Sequence, residues 1–217
     1  TESWWQQFNG EAIVGDLTGT RLAFIPSPIL SWEDFKTGYP EGRVLSRDTG
    51  FSRSYGRNPY VGYDDVNSSP FLFSGEVDDR LRPMDRVVGV LIEEGVGKAY
   101  PYLTLQEDQV INDEIENQAL VIFWKSGTAS ALDTGDISEG RDIGSTTVFD
   151  PVVEGQLLTF TSLGDGTFQD EETGTTWDFL GRALDGPLAG TALKPIPHHD
   201  TFWFAWGAFL PSNDLQE

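Results

Sequence analysis

One block of this chain occurs twice, and that repeat restricts the possible folds more than any other feature. Gly10-Glu-Ala-Ile-Val-Gly-Asp-Leu-Thr-Gly-Thr-Arg-Leu-Ala-Phe-Ile-Pro26 returns as Gly181-Arg-Ala-Leu-Asp-Gly-Pro-Leu-Ala-Gly-Thr-Ala-Leu-Lys-Pro-Ile-Pro197, with nine of seventeen positions identical at a constant offset. Trp32, Phe35 and Pro40 then align with Trp203, Trp206 and Pro211 without a gap, and Trp5 meets Trp177 once one residue is skipped. Glycines at matched spacing mark a backbone path that excludes a Cβ, so one supersecondary unit is expected twice. A β-patterned stretch from about Val87 to Phe168 precedes the second copy, and the first copy lies at the start of the sequence. The chain is therefore expected to open in the middle of a duplicated fold. Residues 1–45 would be the C-terminal half of a truncated first repeat, 46–86 an inter-repeat loop, and 87–217 a complete second repeat. The fold class is mostly β (α+β), with few short helices.

Local patterns fill in that frame. Val87–Ile92 and Val96–Tyr100 flank Glu93-Glu94-Gly95 and predict a hairpin. Ala119–Trp124 is a continuous apolar run, as in a strand covered on both faces. Thr146–Phe149 and Gln156–Thr161 read as further strands, and Glu172-Thr173-Gly174 as a turn between Gly166–Gln169 and Thr175–Asp178. Ser31 with Asp34 forms a capping box for a short helix ending near Gly38, and its repeat partner spans about Thr201 to Phe209, entered through Asp200 or Thr201 as cap. Pro101–Asp108 is a third short helix candidate.

Composition excludes several functions. The 35 acidic and 14 basic residues leave a net charge of −21, the opposite of what nucleic acid or an anionic membrane surface attracts. There is no cysteine, so disulfides, thiolate catalysis and Cys-ligated zinc are impossible within these residues. No apolar run reaches the roughly 20 residues of a transmembrane helix. Seven Trp and fourteen Phe point to a core or groove built on aromatics.

The candidate chemistry concentrates in the inter-repeat loop. Arg47, Arg53 and Arg57 cluster there in a very acidic chain, beside Tyr55, Asn58 and Tyr60. Together they could bind a carboxylate, a phosphate or a sugar through bidentate and stacking contacts, or the arginines simply neutralise neighbouring acids. Asp64 and Asp65 could offer oxygens to a divalent cation, although adjacent acids equally make a turn. His198-His199-Asp200 holds both histidines and is a candidate transition-metal set, yet consecutive side chains on an extended segment face opposite ways. Asp133–Asp142 has alternating oxygens without EF-hand spacing, and Lys125–Ser130 reads as a serine-rich turn after a strand, with no hydrolase spacing.

The blocks Thr1–Gly15, Ser46–Phe51, Tyr55–Asp65 and Pro70–Gly75 resemble the bacterial and archaeal domain-of-unknown-function family 3179. The resemblance covers essentially the whole chain. It implies longer, exported or membrane-anchored relatives built of tandem repeats, the first bearing a Y-C-P-L-C motif with a nearby His. In this chain Trp124 and Gly127 stand where the cysteines of that motif would align, and Asp108 where the His would, while Asn112-Asp113 matches the Asn-Asp pair that follows. No Cys site can be carried onto these residues. The expectation is a secreted or cell-surface protein that binds an anionic or carbohydrate ligand through the inter-repeat loop. One alternative is the supporting half of a metal or redox protein, or of an enzyme, whose Cys/His half precedes residue 1. Another is a subunit of an extracellular assembly, with a missing N-terminal half-repeat or a second copy of itself as partner.

Overall fold

The computed structural model describes residues 2–93, 95–210 and 214–216. The first third holds β1 (Ser3–Gln6), β2 (Glu11–Gly15) and α1 (Trp32–Gly38). The central run is β3 (Arg86–Glu93), β4 (Val96–Pro101), α2 (Tyr102–Asp108), β5 (Val110–Ile115), β6 (Gln118–Lys125) and β7 (Ser145–Asp150). Short strands follow: β8 (Val152–Val153), β9 (Gln156–Leu157), β10 (Phe160–Ser162), β11 (Thr167–Asp170), β12 (Thr176–Asp178) and β13 (Ala183–Asp185). The chain then forms β14 (Lys194–Pro195), β15 (His198–Phe202), α3 (Trp203–Phe209) and β16 (Asp214–Leu215). The protein is mostly β. Among the described residues no helix is long and apolar enough to cross a membrane.

Three four-stranded sheets stack on one another, ordered β15-β3-β4-β16, β14-β7-β6-β5 and β10-β11-β12-β13. Period-two alternation explains why the middle sheet is apolar on both faces. Leu120, Ile122 and Trp124 of β6 pack with Val88, Val90 and Tyr100 of the first sheet. Val121 and Phe123 of the same strand pack with Phe160, Phe168 and Trp177 of the third. On the outer face of the first sheet, Val87 and Ala99 meet Trp203 and Trp206 of α3. Gly89 makes that contact possible, because a Cβ there would lie 2.0 Å from the Trp206 ring.

The hairpin β3–β4 and the strands β6 and β7 form where the apolar runs place them, although Glu94 of the expected turn lies outside the described residues. The 156–161 run instead divides into β9 and β10. Leu158 turns inward to the core, and its N–H bonds the carbonyl of Pro151 rather than a neighbouring strand. All three helices occur. Ser31 caps α1 by accepting from the Asp34 N–H at 3.0 Å. The α3 entry differs from expectation: Phe202 occupies its cap position with no side-chain bond, because Asp200 and Thr201 are still strand residues paired with β3.

The repeated blocks share one backbone path. Trp5 pairs with Ala12 as Trp177 pairs with Ala183, each beside a register shift. Gly10, Gly15 and Gly19 have φ of +68°, +105° and +84°; Gly181, Gly186 and Gly190 have +73°, +106° and +88°. The Ala12 N–H reaches the Thr20 carbonyl as that of Ala183 reaches Thr191, and Leu22 bonds Gly10 as Leu193 bonds Gly181. Even a side-chain bond recurs, since Ser3 Oγ accepts from Leu17 N at 3.0 Å and Thr175 Oγ1 from Leu188 N at 3.1 Å.

Residues 39–85 contain no helix or strand. They lie along the 133–141 segment, joined by the Arg57–Asp136 bridge and by the N–H groups of Asn58 and Gly62 bonding the carbonyls of Gly135 and Asp133.

Candidate functional site

The inter-repeat loop does not gather its arginines. Arg47 and Arg53 are exposed, and among the described residues their side chains make no ion pair. Arg57 pairs with Asp136 at 3.4 Å, with both side chains largely in solvent. Tyr55 shares a hydroxyl contact of 2.6 Å with Thr49, and the exposed Tyr60 lies 6.4 Å from the Tyr63 ring. Asn58 is buried as a loop anchor: its amide donates to the Thr134 carbonyl at 3.2 Å and its oxygen accepts from Tyr60 N at 2.8 Å. The adjacent acids part company. Asp65 is exposed and closes a turn by accepting from Asn67 N, whereas the Asp64 side chain is fully buried.

Asp64 is the residue the fold singles out. Its Oδ2 accepts from Arg86 Nη2 and lies 3.0 Å from Arg141 Nη2, and it also accepts from the Ser130 hydroxyl. Arg141 Nη2 donates to the Asp64 carbonyl as well, at 2.8 Å, and its Nη1 reaches Asp133 at 3.0 Å. Burial pushes the Asp64 carboxyl up, but the Ser130 hydroxyl and the Arg86 and Arg141 guanidinium groups together hold it below the usual carboxylate range. It is an anion at neutral pH, locked between two cations.

This cluster walls a cavity of about 280 Å³, a size suited to a small molecule. Asp64, Arg86 and Arg141 form its polar side. Met84, Leu103 and Ile143 add apolar lining. Arg82 and Asp85 also line it and pair with each other at 2.8 Å. Asp142 sits at the rim but is committed to structure, since it accepts from the backbone N–H groups of Gly127, Thr128 and Gly144. Among the described residues, two buried polar atoms in this cluster have no hydrogen-bond partner: Asp64 Oδ1, an acceptor, and Arg86 Nε, a donor. Native interiors rarely leave such atoms unpaired.

Arg86 links this cluster to a second one. Its guanidinium lies 4.9 Å over the Phe202 ring, its ladder partner in β15. Two residues earlier on the same strand, Asp200 accepts from the hydroxyls of Tyr102 and Thr146, each at 2.7 Å. Burial and the Asp200 charge raise Tyr102 well above the usual tyrosine range, so it stays a neutral donor. The two histidines face opposite sides of β15. His199 stacks on Phe8 at 4.6 Å and meets Phe24 edge-on. His198 is buried on the Asp200 side, its Nε2 3.9 Å from Asp200 Oδ2. His198, His199 and Asp200 thus do not converge, and among the described residues no three His, Asp or Glu side chains come together as a metal set.

Of the eight loop residues, only Asp64 reaches the cavity. Sequence reasoning missed Arg86, Tyr102, Ser130 and Arg141. Arg86 carried one usable signal: it is a charged residue opening a wholly apolar strand run. The aligned Trp124 and Gly127 lie apart from the cavity, Trp124 buried in the core and packed over Gly144.

A family model described as "Protein of unknown function (DUF3179)" matches residues 1–213, and the chain belongs to that family. No curated protein and no solved structure matches it.

Proposed function

We propose that the chain, a member of a family whose description assigns no activity, is a binding protein whose Asp64–Arg86–Arg141 cavity takes a neutral polyhydroxylated ligand of the carbohydrate class. The observation that carries this reading is the lining itself, an ionised Asp64 and the Arg86 and Arg141 guanidinium groups together with the apolar Met84, Leu103 and Ile143. A hydroxyl can donate to the carboxylate and accept from a guanidinium. An anion would satisfy the guanidinium but meet the ionised Asp64. Nor is the cationic charge in surplus, because Arg82 is matched by Asp85, and Arg86 and Arg141 by Asp64 and Asp133. The apolar lining suits the C–H faces of a sugar ring.

The test is thermal unfolding with a panel of neutral sugars and their uronic acids. A neutral sugar at one hundred times its Kd is expected to stabilise the protein by about 2.7 kcal/mol, and the matching uronate less. Arg141→Met should abolish the shift; Arg86 still pairs with Asp64 in that variant, and its unfolding transition without sugar supplies the baseline. Stronger stabilisation by the uronates would point to an anion site instead.

A further inference from the structure

One wall of the Asp64–Arg86–Arg141 cavity is the short helix α2, which contributes Tyr102, Leu103 and Gln106. Gln106 lies one turn beyond Tyr102 and Leu103, so the three share a helix face. The helix is fixed from behind. Leu105 is fully buried in the core between the first and middle sheets, and the Tyr102 hydroxyl is tied to Asp200. The charged side chains around the cavity are already engaged: Asp64 with Arg86 and Arg141, Arg82 with Asp85, and Asp142 with three backbone N–H groups. Gln106 differs from all of them. It is exposed, and among the described residues its side chain makes no hydrogen bond. Its amide has an acceptor and two donors to offer without giving up a partner. Beside it on the same face, Leu103 is 61% exposed.

We propose that Gln106 is the specificity-determining residue of this cavity and that it selects a sugar bearing an acetamido group. The inference rests on the carbohydrate reading above and narrows it. An acetamido group brings a carbonyl that accepts from the Gln106 NH2, or an N–H that donates to its carbonyl, and a methyl that Leu103 covers. A hydroxyl in its place takes one such bond but leaves Leu103 in water. A carboxylate in its place would meet the ionised Asp64 and a neutral amide.

Thermal unfolding of the intact protein with glucose and with N-acetylglucosamine is the test, the Kd following from the dependence of the midpoint on sugar concentration. The unaltered protein is expected to bind N-acetylglucosamine about ten-fold more tightly than glucose, as one amide hydrogen bond with a covered methyl implies. Gln106→Leu keeps a good helix former at an exposed position and should collapse that ratio to about one. Gln106→Glu, which loses the NH2 donors and adds a charge, should lower it as well. A merely structural role would weaken both sugars alike and leave the ratio in place. A preference that survives Gln106→Leu overturns the inference, as does equal binding of the two sugars by the unaltered protein. Stabilisation by other neutral sugars but not by N-acetylglucosamine overturns it too. Each of these results leaves the carbohydrate reading standing, whereas no shift with any neutral sugar overturns both.

Discussion

The hairpins β1–β2 and β12–β13 follow the same path with matched glycines and matched hydrogen bonds, yet Trp177 is fully buried and Trp5 is not. The contrast extends to whole regions. Among the described residues, Ala12 and Met84 are the only buried hydrophobics before Arg86, while the stacked sheets are packed throughout. The motif is therefore held by its own short-range bonds, and its hydrophobic stabilisation depends on what lies next to it. The N-terminal region meets the sheets and α3 through scattered contacts, among them Phe8 and Phe24 against His199, Tyr63 against Phe202, Lys125 bonded to Asp34, the Gly38 carbonyl on Arg182, the Asp78 carbonyl on Trp203, and the Asp64 cluster.

Truncating the twin tryptophans should separate the regions most sharply. Trp177→Ala removes a buried indole and its bond to Asp170, and is expected to lower the unfolding free energy by about 4 kcal/mol. Trp5→Ala is expected to cost less, because its side chain is only partly buried. Urea denaturation gives both values; equal losses would place the N-terminal hairpin inside the main cooperative unit.

Asp64→Asn should come next, at about 3 kcal/mol, because it leaves Arg86 and Arg141 without the charge they share. Faster amide exchange in residues 56–64 would show the loop leaving the 133–141 segment. Within the second twin, Gly186→Ala should be more damaging than Gly190→Ala, whose cost is about 1 kcal/mol. A Cβ on Gly186 would lie 2.7 Å from Thr175 Cα, whereas Gly190 faces open space. The corresponding pair, Gly15→Ala and Gly19→Ala, should disturb exchange in residues 2–22 with little change in the global midpoint.

His199 ties the two regions together in a pH-dependent way. Burial, helped by the neighbouring His198 and opposed by Asp200, lowers its pKa below 6.5. The unfolded chain therefore takes up the proton first. The stability from the neutral ring is complete above pH 6.5 and is lost as the pH falls from there toward the folded-state value. His199→Phe keeps the stack on Phe8 and should flatten that slope in midpoint against pH. The smallest effect is expected for Arg57→Ala, where an exposed pair with Asp136 is lost and the unfolding midpoint should not move measurably.

Much of the scaffold was readable in advance because its causes are local. The Ser31–Asp34 cap, the strand at Ala119–Trp124 and the turn glycines each act over a few residues. The break at Leu158 was not readable, since only the waiting core makes an inward turn better than a continued ladder. The same limit hid the site. Asp64 is joined to residues 22, 66 and 77 positions away, and no periodicity links positions so far apart. Clustered arginines in the loop looked more informative than a lone Asp, yet solvent surrounds Arg47 and Arg53 while the Asp is enclosed.

Residue order alone settles the short-range architecture here: a mostly β chain, a glycine-turn hairpin made twice, three short helices and a strongly acidic surface. Backbone sterics and bonds between near neighbours dictate those, and they are written in adjacent letters. Which copy of the hairpin is buried, and which acid among 35 is clamped between arginines, follow from sheet stacking. Burial and desolvation depend on every segment that arrives in the same space, so they take values only once the chain has closed on itself.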